Sequence, residues 1–147
     1  MKFVLETGSK ILIHSYDIGT LSISGISSNH PELQTGLIDE WDADNHLGIF
    51  RQSVTLRTSG NIQAWAPQTF SDFSPEHFTD FIETKPEIIL LGTGHKLQFP
   101  PQDCLKLLQQ NNLGYEVMNT AAACRTFNVL AAEDRDVILA VLMIENG

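Results

Sequence analysis

Residues 90–101 read LLGTGHKLQFPP, and here the residue types of this chain come nearest to chemistry. An apolar run meets Gly92 and Gly94, then His95 and Lys96, then the pair Pro100 and Pro101. A strand that breaks into Gly-x-Gly before a helix can hold a phosphate on free backbone N–H groups. The dinucleotide pattern G-x-G-x-x-G asks for a third glycine where Leu97 stands, and the phosphate loop G-x-x-x-x-G-K-[ST] is missing altogether. Two readings stay open. In one, Gly92 and Gly94 supply positive φ for a tight exit from the strand, and Phe99-Pro100-Pro101 re-aims the chain. In the other, the loop is half of an anion site. Ligands of open α/β sheets collect beyond the carboxyl ends of parallel strands. Two such ends are expected here. One carries Thr93, Gly94, His95 and Lys96; the other carries Asn119 and Thr120 at a helix start, with Arg125 in its first two turns. On that reading these seven residues line one rim for a small anion or an acidic segment of a partner.

Other constellations are weaker. Cys124-Arg125 sets a thiol beside a cation near a helix start, which can lower a thiol pKa. Cys124 also sits among Ala121, Ala122, Ala123, Phe127 and Leu130, where a buried structural cysteine is expected. Cys104 shares a face with Leu107 and Leu108 and reads as core. The stretch DEWDADNH, 39–46, resembles a calcium loop in composition only: with Asp42 first, Leu47 and Ser53 stand where glycine and glutamate are needed. A solvated acidic loop is expected there. The five histidines have no paired metal spacing, and no G-x-S-x-G elbow occurs. No catalytic set, metal site or cofactor is therefore assigned. Trp41 is a candidate partner contact; Trp65 reads as core.

The elements that must position these residues follow from hydrophobic period. KILIHSYD and TLSISG alternate as short strands, with a turn at Asp17–Thr20. Residues 26–46 are polar, broken by Pro31 and Gly36, and read as a loop or arm. Val54, Leu56 and Thr58 alternate, Ser59-Gly60 turns, and Ile62, Ala64 and Ala66 alternate, which predicts a hairpin. Ser74-Pro75-Glu76 then starts a helix whose Phe78, Phe81 and Ile82 share a face, ended by Lys85-Pro86. EIILLGT is a strand covered on both faces. PPQDCLKLLQQNN is a helix, GYEVMN a strand, TAAACRTFNVLAAED a helix and RDVILAVLMIEN the last strand. The expected fold is α/β: one three-layer domain over 1–147 with a mixed central sheet, a β-rich first half and a βαβ second half. Strands 87–92 and 114–118 should be parallel.

Composition narrows the function. The chain has 147 residues, with 9 Lys+Arg against 18 Asp+Glu, for a formal charge of −9. That argues against nucleic acid and against an anionic membrane surface. The start MKFVLETGSK carries Glu6 where a signal peptide needs an apolar run, and the longest apolar run, VILAVLMI, is too short to span a bilayer. With two cysteines and no disulfide framework, a cytoplasmic protein without stable membrane insertion is expected.

PEIILLGTG, FPP, GYEVMNTAAACRTFNVLAAEDRDVILAVL and Trp65 resemble one group of small proteins. It includes the mitochondrial complex I assembly factor 3, the adipogenesis-associated domain protein of animals, and many bacterial and archaeal proteins of unknown function. The resemblance is clearest over 50–144 and most specific at 114–132, and 26–46 looks like an insertion. It implies a three-layer α/β fold around a mixed sheet, no established catalytic residues, and, for the mitochondrial member, a part in assembling a respiratory complex. Without a presequence this chain looks like a prokaryotic member. The leading expectation is a non-enzymatic interaction or assembly-type domain with a protein partner. The alternative is a binder of, or enzyme on, an anionic ligand at the 93–96 and 119–125 rim. A monomer and a homodimer through an edge strand of the hairpin both stay open.

Overall fold

The computed structural model describes residues 11–31 and 35–143. Three parts of the sequence expectations lie outside them: Lys10 of the first strand, residues 32–34 of the arm, and the last strand's tail from Ile144. The central sheet has five strands in the order β6-β5-β9-β7-β8. They are β5 (Val54–Arg57), β6 (Ile62–Ala64), β7 (Ile88–Gly92), β8 (Gly114–Met118) and β9 (Val137–Val141). β7 runs parallel to both β8 and β9, while β5 is antiparallel to β9 and to β6, so the sheet is mixed. The continuous apolar runs have their reason here. β9 is central and all five of its residues are buried; β7 beside it is buried from Ile89 to Gly92. A strand covered on both faces has no solvent side to alternate with.

One face is covered by an aromatic layer. Trp65, Phe73, Phe78 and Phe81 pack on Ile89, Leu91, Ile138 and Ala140, with Cys104 and Leu108 of α2 (Gln102–Gln110). Trp65 meets Phe73, Phe78 and Phe81 at centroid distances of 5.5, 5.9 and 6.1 Å, and its indole N–H donates to the His77 carbonyl. The helix expected from Ser74 begins as a 3-10 turn, Pro75–Phe78, and becomes α1 only over Thr79–Thr84. Phe78 and Phe81 are its buried residues, as their spacing predicts.

The other face is covered by α3 (Thr120–Ala132) and by a second sheet. The β5–β6 hairpin of the first half joins the central sheet, as expected, while the opening strands form a sheet of their own. β1 (Leu12–Asp17), β2 (Thr20–Ser24), β3 (Glu40–Asp42) and β4 (Leu47–Phe50) form their own antiparallel sheet, in the order β1-β2-β4-β3. Their buried residues Ile13, Leu21, Ile23 and Phe50 meet Ala123, Phe127, Leu90 and Leu139 in one core. The three layers are thus aromatic helices, central sheet, and α3 with the small sheet.

The described residues of 26–46 take part in the fold. They contribute buried Ile26 and Leu37 and the strand β3. Asp42 accepts from the N–H groups of Asp44 and Asn45 and from the Asn45 side chain, so the acidic composition builds the β3–β4 turn. Trp41 is half-buried and donates its indole N–H to the Ile26 carbonyl at 3.0 Å, a tie within the protein where a partner contact was expected. No helix among the described residues is long and apolar enough to cross a membrane.

Candidate functional site

The loop that leaves β7 and the start of α3 meet, as parallel pairing of β7 and β8 requires. The Gly94 N–H donates to Thr120 Oγ1 at 2.8 Å, and the Thr120 N–H donates to the Gly94 carbonyl at 2.8 Å. Thr93 and Thr120 are both fully buried. The Thr93 hydroxyl donates to the Lys96 carbonyl (2.8 Å), with the Met118 carbonyl at 3.2 Å, and accepts from the Gln98 N–H (3.1 Å). The Thr93 N–H donates to the Met118 carbonyl. Two threonine hydroxyls therefore tie β7, β8, the loop and α3 into one knot. A threonine can do this because its hydroxyl both donates and accepts.

The two glycines act by different means. Gly94 has φ +99°, as a tight exit from the strand demands. Gly92 shows no such φ, contrary to the expectation that both glycines supply it. A Cβ there would stand 3.0 Å from Thr120 Oγ1 and 3.2 Å from Thr120 Cα. Its role is to let α3 lie close on the sheet.

The α3 terminus is served from within the chain. Asn119 caps it, its side-chain oxygen accepting from the Ala122 N–H at 2.8 Å. The N–H groups of Thr120, Ala122 and Ala123 all have backbone or side-chain acceptors. Of the seven rim residues, Thr93, Gly94, Asn119 and Thr120 thus form the knot, while His95, Lys96 and Arg125 are exposed. Arg125 lies further along α3 and faces β1. It lines a groove of about 200 Å³ with His14, Tyr16, Ala121, Cys124 and Asn128, and neither His95 nor Lys96 lines that groove. Cys124, inside the groove wall, is buried; burial pushes its thiol up to about 12, and the nearby Arg125 only partly opposes that. A thiol held this way is protonated and inert near neutral pH.

The alternation also hid a larger concavity at the opposite end of the sheet. A cleft of about 580 Å³ is lined by Arg57, Thr58, Ser59, Asn61, Asp134 and Arg135 among others. Its arginines are engaged. Arg57 donates through Nε and Nη2 to the two oxygens of Asp136, both at 2.8 Å, and also to the Thr84 carbonyl. Arg135 donates to Glu87 at 2.8 Å. These pairs hold the carboxyls of Asp136 and Glu87 below their ordinary values.

One further feature of the rim was not singled out by motif. Leu97 is 53% exposed and Phe99 65% exposed, on the loop that the threonines hold. Ile18, 51% exposed, belongs to the β1–β2 turn. β1 runs along α3 in the opposite sense: Asn128 bonds Ile13, while Tyr16 lies beside Thr120. The turn after Tyr16 therefore stands at the same end as the Gly94–Phe99 loop. Three of the four large apolar side chains exposed among the described residues (Val129 is the other) thus lie toward the carboxyl end of β7 and β8.

Fold and rim together define a three-layer α/β domain with a closed strand-to-helix knot and an exposed apolar loop above it. The chain belongs to a family described as protein of unknown function (DUF498/DUF598), which matches residues 13–142. Among its relatives, a 13 kDa major membrane protein of Francisella tularensis subsp. holarctica is 36% identical over 61 residues, 42% of this chain and 50% of the relative. The NADH dehydrogenase [ubiquinone] 1 alpha subcomplex assembly factor 3 of Xenopus tropicalis is 34% identical over 76 residues, 50% of this chain and 42% of the relative. The chain spans about half the length of the named relatives it matches. A Xanthomonas campestris protein solved by NMR superposes with a TM-score of 0.70 at 27% identity, over 93% of this chain and 87% of the other.

Proposed function

We propose that this protein is a non-enzymatic protein-interaction module of assembly-factor type, docking through the end of the molecule that carries Ile18, Leu97 and Phe99. The observation that carries the reading is the gathering of exposed apolar side chains over a base held by buried hydrogen bonds. Exposed apolar groups on a rigid support mark contact sites, because ordering them on binding costs little. The assembly-factor relatives support a protein as the partner. The rim's polar atoms support a small-anion site less, since the Thr93 and Thr120 hydroxyls and the Thr120, Ala122 and Ala123 amides already have partners in the chain. A contribution of His95 and Lys96 to an acidic partner segment fits the same surface, while Arg125 stands apart in its groove against β1.

Affinity capture from native extract, wild type beside Phe99→Ser, tests this. A specific protein identified with the wild type and lost with Phe99→Ser is expected. Equal capture by both would remove the loop from the interaction. An anionic metabolite co-purifying with the wild type and lost on Lys96→Ala/Arg125→Ala would favour the anion site instead. The compartment is proposed to be the cytoplasm, in keeping with two free, buried cysteines. Recovery in the membrane fraction, as the name of the Francisella relative implies for that protein, would overturn that placement.

A further inference from the structure

We infer that the groove between β1 and α3 is a binding site for a small aliphatic carboxylate, held by Arg125. The inference goes beyond the reading of the apolar end as a contact surface and does not rest on it.

The chain has four arginines. Three are committed to carboxylates: Arg51 to Glu40, Arg57 to Asp136 and Arg135 to Glu87. The Arg125 guanidinium has no carboxylate partner among the described residues, although acids outnumber bases 18 to 9 in the chain. Its fork of donors is therefore open to a bidentate acceptor. Arg125 lines the groove of about 200 Å³, and no Asp or Glu lines it. Asp17 is near enough to act on the Tyr16 hydroxyl but is not part of the lining. One wall is a single face of α3, since Ala121, Cys124, Arg125 and Asn128 are spaced i, i+3, i+4, i+7. The other wall is β1, where exposed His14 and Ser15 add a ring N–H and a hydroxyl. Asn128 bonds Ile13 at both its N–H and its carbonyl, so the walls are held at a fixed spacing before any ligand arrives. Tyr16, also in the lining, has a buried hydroxyl without a hydrogen-bond partner; the Thr120 side chain lies beside it but outside bonding geometry. The groove is thus rich in unserved donors. A single guanidinium suits one negative charge, and the chain's −9 charge opposes a multiply charged ligand. The two oxygens of a carboxylate match the guanidinium fork. Ala121 and Cys124 give a short alkyl chain an apolar surface to lie on.

Titration of the ¹⁵N-labelled protein with butyrate, followed by NMR, is the test. Saturable shifts are expected at the Ser15 and Tyr16 amides and at the Arg125 side-chain N–H, with half-saturation at about 1–10 mM. Butyramide has the same shape without the charge and should bind at least about tenfold more weakly. Arg125→Gln should weaken butyrate by a similar factor. Ala121→Leu fills the groove while keeping the guanidinium, and should abolish the shifts. Lys96→Ala and Phe99→Ser lie outside the lining and should leave them unchanged. Circular dichroism checks that each variant is folded. The same carboxylate could come from a free acid or from a glutamate of another protein. N-acetylglutamate α-amide, titrated in parallel, separates these: tighter binding than butyrate assigns the groove to a peptide side chain, weaker binding to a free acid. The inference is overturned by the absence of saturable shifts with both acids, or by butyramide binding as well as butyrate. Shifts that survive Ala121→Leu also overturn it, because they would mean adventitious pairing with an exposed guanidinium. So does loss of binding in Lys96→Ala, which would put the ligand on the rim. None of these failures touches the apolar end, which is read by capture with Phe99→Ser alone.

Discussion

Thr120 does three things at one position. It opens α3, accepts the Gly94 N–H at 2.8 Å, and fills the space that Gly92 leaves open. Thr120→Val keeps the shape and removes the acceptor, stranding a buried N–H. The expected cost is about 1–3 kcal/mol. Thr120→Ser should recover most of it, because the hydroxyl returns. Urea unfolding of the pair checks this; equal loss in both would mean that the methyl group, not the hydrogen bond, is what matters. Gly92→Ala approaches the same contact from the other side. Its Cβ would be 3.0–3.2 Å from Thr120, including the backbone Cα, which cannot rotate away. A loss of about 1–3 kcal/mol is expected, with faster amide exchange in the Gly94–Gln98 loop. An alanine tolerated without loss would show that α3 can shift outward.

At the scale of elements, the tie between the small sheet and α3 is Asn128. Its side chain accepts from the Ile13 N–H at 2.9 Å and donates to the Ile13 carbonyl at 2.8 Å, imitating a neighbouring strand along the outer edge of β1. Asn128→Ala removes both bonds, so stability should fall by about 1–3 kcal/mol and the Ile13 amide should exchange much faster. Unchanged exchange at Ile13 would mean that packing alone holds β1 on α3. The sequence pattern showed the strand and the helix but not this tie. A side chain that mimics a strand has no period, and 115 positions separate its partners. The same limit explains the rest. β7, α2, α3 and β9 were legible because each buries a local apolar pattern, and β8 because Tyr115 and Val117 alternate as half-buried residues. That β1–β4 form a separate sheet was not, because pairing partners are long-range: β2 joins β4, with β3 on the outer edge. Gly92 and Gly94 were legible as a turn, yet their different reasons depend on where Thr120 comes to lie. Leu97 carries no motif and Phe99 reads only as part of FPP, and it is exposure that distinguishes them from the apolar residues around them.

At the scale of the whole molecule, the two cysteines report on the two cores. Cys104 sits in the aromatic layer on one side of the central sheet and Cys124 in the α3 layer on the other. Burial pushes Cys104 up to about 11 and Cys124 up to about 12, from an ordinary value of 9.0. An acid whose folded pKa is raised stabilises the fold below its unfolded pKa. Above about 9 the unfolded chain binds fewer protons than the folded one, so stability falls as pH rises, continuing toward about 11 for Cys104 and about 12 for Cys124. Tyr16, also raised by burial, adds loss of the same sign above its ordinary value of 10.0. Urea midpoints measured between about pH 8 and pH 10.5 should therefore decline. Cys124→Ala lowers stability through its cavity at every pH, so its informative readout is the slope, which should be shallower than in the wild type. Cys104→Ala should flatten it as well, by its own thiol alone, and the double variant by both. Native protein should meanwhile resist a thiol reagent at neutral pH and react at both positions once unfolded. An alkaline slope identical in the wild type and both variants would mean that neither core excludes the thiolate. The tight packing of α3 and α2 on the central sheet would then be looser than their buried faces indicate.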